Sequence, residues 1–156
     1  MKKYIALILG CMLLVMQCSV AFAEETEHYE MIETENDDAF TTYSESEVAP
    51  CLLYIANVYT SIVKVSSSQI SIRAETVCSE TVQSITVVYS LQKWNGSKWV
   101  DVASKTATAY NVPQTSKSYT ISGVSSGRYR TKANALVTGY TGYSETLIGY
   151  SGSITI

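Results

Sequence analysis

Residues 82–103 read VQSITVVYSLQKWNGSKWVDVA, and this stretch decides the fold. Ile85, Val87, Tyr89 and Leu91 alternate with polar residues, the period of a half-buried strand. Asn95-Gly96-Ser97 then interrupts the pattern, and it is read as a tight hairpin turn because Asn-Gly adopts positive φ cheaply. Beyond it the alternation resumes, with Val100 and Val102 assigned to the core. Successive side chains point to opposite faces of a strand. Ser90, Gln92 and Trp94 therefore face outward, and a two- or four-residue loop puts Trp99, Asp101 and Ala103 on the same face. Both tryptophans are expected to share the solvent side of one hairpin.

The same grammar extends both ways. Ser, Thr, Tyr, Val and Ile dominate from residue 52 on, as strands prefer. Strands are expected near 53–65, 69–77, 82–94, 98–109, 116–122, 128–138 and 145–156. Turns are expected at Ser66-Ser67-Ser68, Ser79-Glu80, Asn111-Val112-Pro113, Ser125-Ser126-Gly127 and Gly139 to Gly142. Ile70, Ile72, Ala74, Tyr119, Ile121, Tyr129, Ala133, Ala135 and Val137 join the core by alternation. Seven strands in residues 51–156 fit an all-β, seven-stranded antiparallel sandwich; a small barrel is the alternative.

The formal charge of −3 over 156 residues hides a split. Residues 24–50 hold ten acidic side chains and no Lys or Arg, whereas 51–156 hold nine basic and four acidic ones. The acidic stretch has few large apolar residues and is expected to be disordered; the other reading is a short element docked on the domain through Met31, Ile32, Phe40 and Tyr43. Ahead of it, Lys2 and Lys3, the apolar run Tyr4 to Met16 and Ala21-Phe22-Ala23 read as a secretory signal cleaved before Glu24. A retained membrane anchor is the competing reading. A lipid-modified Cys18 is disfavoured by bulky Gln17 just before it. Cys51 and Cys78 remain in the exported chain. A bridge between them would close a 28-residue segment, but a simple hairpin at 66–68 sets Cys78 opposite Ala56. Cys51 then lies roughly 17 Å away along the strand, so a bridge requires a bulge or a first strand that breaks its pairing.

The run Ser118 to Ala135, SYTISGVSSGRYRTKANA, resembles the E–F region of fibronectin type III and related immunoglobulin-like domains. Val124, Gly127 and Tyr129 match in kind, with the Val-to-Tyr spacing one residue shorter. The resemblance implies that Tyr129 is a corner tyrosine whose hydroxyl bonds back to backbone. Residues 70–150, through SLQKWNGSKWVDV and GRYRTKANALVTGYTGYSET, also resemble a group of short secreted proteins of Gram-positive gut-type bacteria. That resemblance implies a bacterial, secreted β domain and no particular activity.

Three surface features bear on function. Trp94 and Trp99 form either an aromatic platform for a sugar ring or partner surface, or a cross-strand pair that only stabilises the hairpin. Arg128, Arg130 and Lys132 alternate outward, opposite to Tyr129 and Ala133. The expected pairing of 128–138 with 82–94 brings Arg128 or Arg130 over Trp94. The basic stripe could bind anionic cell-wall polymer, dock the chain's own acidic arm, or be an ordinary solvated face. Tyr140 and Tyr143 sit in a tyrosine–glycine loop of paratope-like composition at the opposite end.

Catalysis has little support. His28, the single histidine, lies in the acidic arm, so the domain lacks a Ser–His or Cys–His base. Asp101, Glu75, Glu80 and Glu145 are scattered and suggest neither a metal site nor a carboxylate pair. No cofactor and no nucleic-acid partner are expected, and the membrane is met only through the signal. The sequence thus points to a secreted, non-enzymatic binding or adhesion-type module for a cell-surface glycan or protein. The alternatives are a self-associating extracellular protein, or a basic face masked by the acidic arm.

Overall fold

The computed structural model describes residues 28–34, 44–45 and 52–156. The described residues are all-β, with antiparallel pairing throughout and no helix. The strands are β1 (Glu30–Thr34), β2 (Ser44–Glu45), β3 (Ile55–Ser66), β4 (Gln69–Trp94), β5 (Trp99–Ser122), β6 (Arg128–Thr138) and β7 (Ser144–Thr155). The seven strands expected within 51–156 are therefore five, because two neighbouring pairs are continuous. The signal segment 1–23 lies outside the described residues.

The reason for the merging lies in the ladder. β4 and β5 form one ribbon, from Gln69 opposite Ser122 to Trp94 opposite Trp99. The two expected turns, Ser79-Glu80 and Asn111-Val112-Pro113, face each other across it. Val77 pairs with Gln114 and Val82 with Val112, so residues 78–81 bulge opposite Pro113 alone. Proline has no N–H for a ladder and is at home in such a break. Asn111, at φ 56°, takes up the bend on the other strand. Ser79 N donates to the Tyr54 carbonyl at 2.8 Å. Two turn signals in register bend a ribbon instead of reversing two chains.

At this bend β4 changes partner. Residues 69–78 ladder with β3, and residues 84–93 with β6. β7 follows on the far side of β6. The sheet then folds over, and β3 packs along β6 and β7 with no ladder between them. Gly149 makes that approach close, since a Cβ there would sit 3.0 Å from Val58 and Thr60. Thr131 Oγ1 donates to the Ser61 carbonyl at 2.8 Å. Inside lies one apolar cluster with Ile70, Ile72, Ala74, Ile85, Val87, Tyr89, Leu91, Tyr119, Ile121, Tyr129, Ala133, Ala135 and Val137, the residues assigned by alternation. Tyr89 and Tyr119 meet edge to face at 5.0 Å.

Three expectations need correction. Val100, assigned to the core, is 38% exposed. Ala103, placed outward, pairs with Leu91 and packs on the core. Val100 pairs with Lys93 on the side of Leu91 and is exposed because it lies next to the hairpin loop, past the end of the core. Ala103 is turned inward by a bulge at Val102, between the Leu91–Ala103 and Gln92–Asp101 pairs, because one extra residue inverts the alternation beyond it. The acidic arm is also not wholly without structure. Glu30–Thr34 pair with Ser118–Ser122, and Ser44–Glu45 with Tyr59–Thr60. The open edge of β5 beside a buried Tyr119 and Ile121 gives the arm something to cover.

Candidate functional site

The hairpin loop is four residues long and is organised by one side chain. Asn95 Oδ1 accepts from Ser97 N at 3.0 Å, Ser97 Oγ at 3.1 Å and Lys98 N at 2.9 Å. Gly96 takes the positive φ of 100°, and Asn95 does not share it. Asparagine serves here as a local acceptor. Trp94 and Trp99 follow as the closing pair of the ladder. Their rings are 5.4 Å apart and inclined at 61°.

β6 brings the basic residues to this face, with Arg130 opposite Gln92 and Lys132 opposite Ser90. The Arg130 guanidinium lies 4.6 Å from the Trp99 ring centre and 4.3 Å from that of Tyr150 on β7. Arg128 approaches Trp99 at 5.7 Å and donates to Ser153 Oγ at 2.8 Å. The cation–π partner expected at Trp94 is therefore Trp99. The indole reaches diagonally across β4, and its tilt against Trp94 presents it to the arginines. Tyr150 was not singled out in the sequence. Its signal would have been the β6–β7 register, which puts Tyr150 opposite Lys132 beside a shift near Arg130.

Polar contacts fix the arrangement. Arg130 Nε donates to Gln92 Oε1 at 2.7 Å, and Gln92 Nε2 to Asp101 Oδ1 at 2.6 Å. Lys132 Nζ meets Asp101 Oδ2 at 3.4 Å. Burial lowers the Arg130 pKa, while Tyr150 and Asp101 act against that shift; a guanidinium remains charged in such a site. The result is a pre-set cation on a partly open face, held against two aromatic rings. Trp94 stands at the rim, 36% exposed.

The other singled-out residues lie elsewhere. Tyr140 and Tyr143 are exposed and follow the far end of β6, ten residues or roughly 34 Å from Arg128. Tyr140 donates to Asn111 Oδ1 at 2.9 Å, and Tyr143 lies 6.3 Å from the Tyr54 ring. Cys78 is buried and unbridged. Burial, and secondarily Glu145, push its thiol up to about 11, so it stays protonated at neutral pH. Cys51 lies outside the described residues. The Tyr129 hydroxyl donates to the Ser125 carbonyl at 2.9 Å, the back-bond that the fibronectin-like resemblance implied. The arm segment 30–34 lies on β5 and bonds Lys117 through Glu33; it does not ladder with β6. Among the described residues no three His, Cys, Asp or Glu side chains gather as metal ligands.

Sequence reasoning missed Glu145. Its carboxylate is buried and accepts from Leu53 N at 2.8 Å, Tyr54 N at 2.7 Å and Ile55 N. It is a structural clasp between the starts of β7 and β3. A lone acid at the head of an apolar strand was its signal. No protein-family model matches the chain, and a search of curated proteins returns no match.

Proposed function

We propose that residues 51–156 form a secreted, non-enzymatic binding module of β-sandwich, immunoglobulin or fibronectin type III kind, acting on acidic glycan or protein at or near a cell surface. The observation that carries this reading is the Arg130 guanidinium packed against both Trp99 and Tyr150 and flanked by Arg128 and Lys132. A planar cation held in advance loses little freedom when a carboxylate or sulfate pairs with its fork of terminal nitrogens. The neighbouring Trp94 offers apolar contact to the attached sugar. The face of Trp99 is already used by Arg130, which favours an anionic ligand over a neutral ring stacked on that indole. Folding of the sheet so that β3 lies on β6 and β7, together with the Tyr129 back-bond, supports the sandwich assignment.

Tryptophan fluorescence tests the reading. Titrating the exported chain with anionic cell-wall polymer is expected to give a saturable shift that weakens as salt rises. Arg130→Gln should reduce the affinity about tenfold, the scale of one charge-assisted hydrogen bond. A folded protein whose spectrum responds to neither anionic polymer nor mucin-type glycan would refute it. A self-associating extracellular protein is the second reading, favoured by β7, which among the described residues ladders only with β6 and exposes Ile148 and Tyr150.

A further inference from the structure

The edge of β5 between Ser118 and Ser122 is built to receive a strand. β4 takes one side of this segment and β1 the other. Tyr119 and Ile121 are fully buried here, so a bare edge would leave unpaired backbone groups beside the core. The occupant matches the edge in several ways. Tyr29 and Met31 pack on the core. Lys117 bonds the Glu33 carboxylate. Gly123, at φ 78°, makes room for the His28 carbonyl, which an added Cβ would approach to 2.5 Å.

The occupying strand is only five residues long, and twenty residues separate Thr34 from Ile55. A copy of the same strand on another molecule would make the same contacts. The chain's own strand is favoured by the effective concentration its tether confers, and part of that tether pairs with β3 through Ser44–Glu45. We propose that the Ser118–Ser122 edge is a strand-acceptor site that takes residues 30–34 from a second copy of the chain as well as from its own, so that copies associate by exchanging arms. This inference concerns a different face from the Trp99–Arg130 stack and stands whatever that face binds.

Two full-length variants test it. Met31→Asp spoils the donor strand and leaves the edge vacant. Gly123→Val blocks the acceptor where His28 passes and leaves the donor intact. Each alone is expected to sediment as a monomer. Their equimolar mixture, on the order of 100 µM each, is expected to form a dimer, one chain giving the strand and the other the edge. A mixture that remains monomeric overturns the proposal. Should Gly123→Val fail to fold, a labelled peptide of residues 28–34 replaces it. The peptide is expected to bind the Met31→Asp chain at least tenfold more tightly than the unsubstituted chain, whose edge is filled. Equal binding, or none, would also overturn the proposal.

Discussion

Replacing Glu145 with alanine is expected to lower the melting temperature by roughly 20 °C. Three consecutive backbone N–H groups, at Leu53, Tyr54 and Ile55, lose their acceptor together. The Tyr54 and Ile55 groups are buried and the Leu53 group only partly so. Each buried group left unmet costs about 1–3 kcal/mol, and water at Leu53 with some relaxation will recover part of the sum. A net loss of about 4 kcal/mol, at about 5 °C per kcal/mol for a domain of this size, gives that shift. Glu145→Gln keeps the shape and one acceptor oxygen and should lose about half as much. Melting followed by circular dichroism distinguishes the cases. A Glu145→Ala protein melting within about 5 °C of the parent would show that water serves the three groups equally well.

The second large effect is expected at Gly139. A Cβ there would lie 2.2 Å from Tyr54 Cζ and 2.3 Å from its hydroxyl oxygen. Gly139 is not held at positive φ, so the penalty is steric. Tyr54 has little room to yield, because its N–H is bound by Glu145 and its hydroxyl lies 3.3 Å from Thr141 Oγ1. Gly139→Val should therefore cost about 3 kcal/mol, the upper part of the range for overpacking, measured by urea denaturation. Adding Tyr54→Leu should recover part of the loss, because residues in contact do not add independently. Full additivity of the two changes would place the strain elsewhere.

Much of the interior could be read from the chain. The alternation through Ile70–Ala74, Ile85–Leu91 and Tyr129–Val137 identified buried positions because a period of two has only one inward face. Other features depend on what lies across the ladder. Ser79-Glu80 and Asn111-Val112-Pro113 look like turns singly and become a bend only when paired. The bulge at Val102 reverses the facing of Ala103, and no local residue announces it. The two tryptophans and the basic stripe were legible as neighbours. Selection of Trp99 over Trp94 depended on how its indole crosses β4 toward β6, and the arrival of Tyr150 on how β7 lies against β6. Glu145 was hidden for the same reason, since its partners are about ninety residues away.

The bent ribbon has a consequence for how the molecule comes apart. β4 and β5 run through both halves of the folded sheet, so each half borrows its central strands from the other. Melting β3 and β1 strips the neighbours from Gln69–Cys78 and Ser118–Ser122, and the loosened ribbon continues without a break toward the tryptophan hairpin. Such continuity couples the halves into one cooperative unit. Tryptophan emission from Trp94 and Trp99 should then register the loss of the Glu145 clasp at the far end, at the same temperature as the backbone signal.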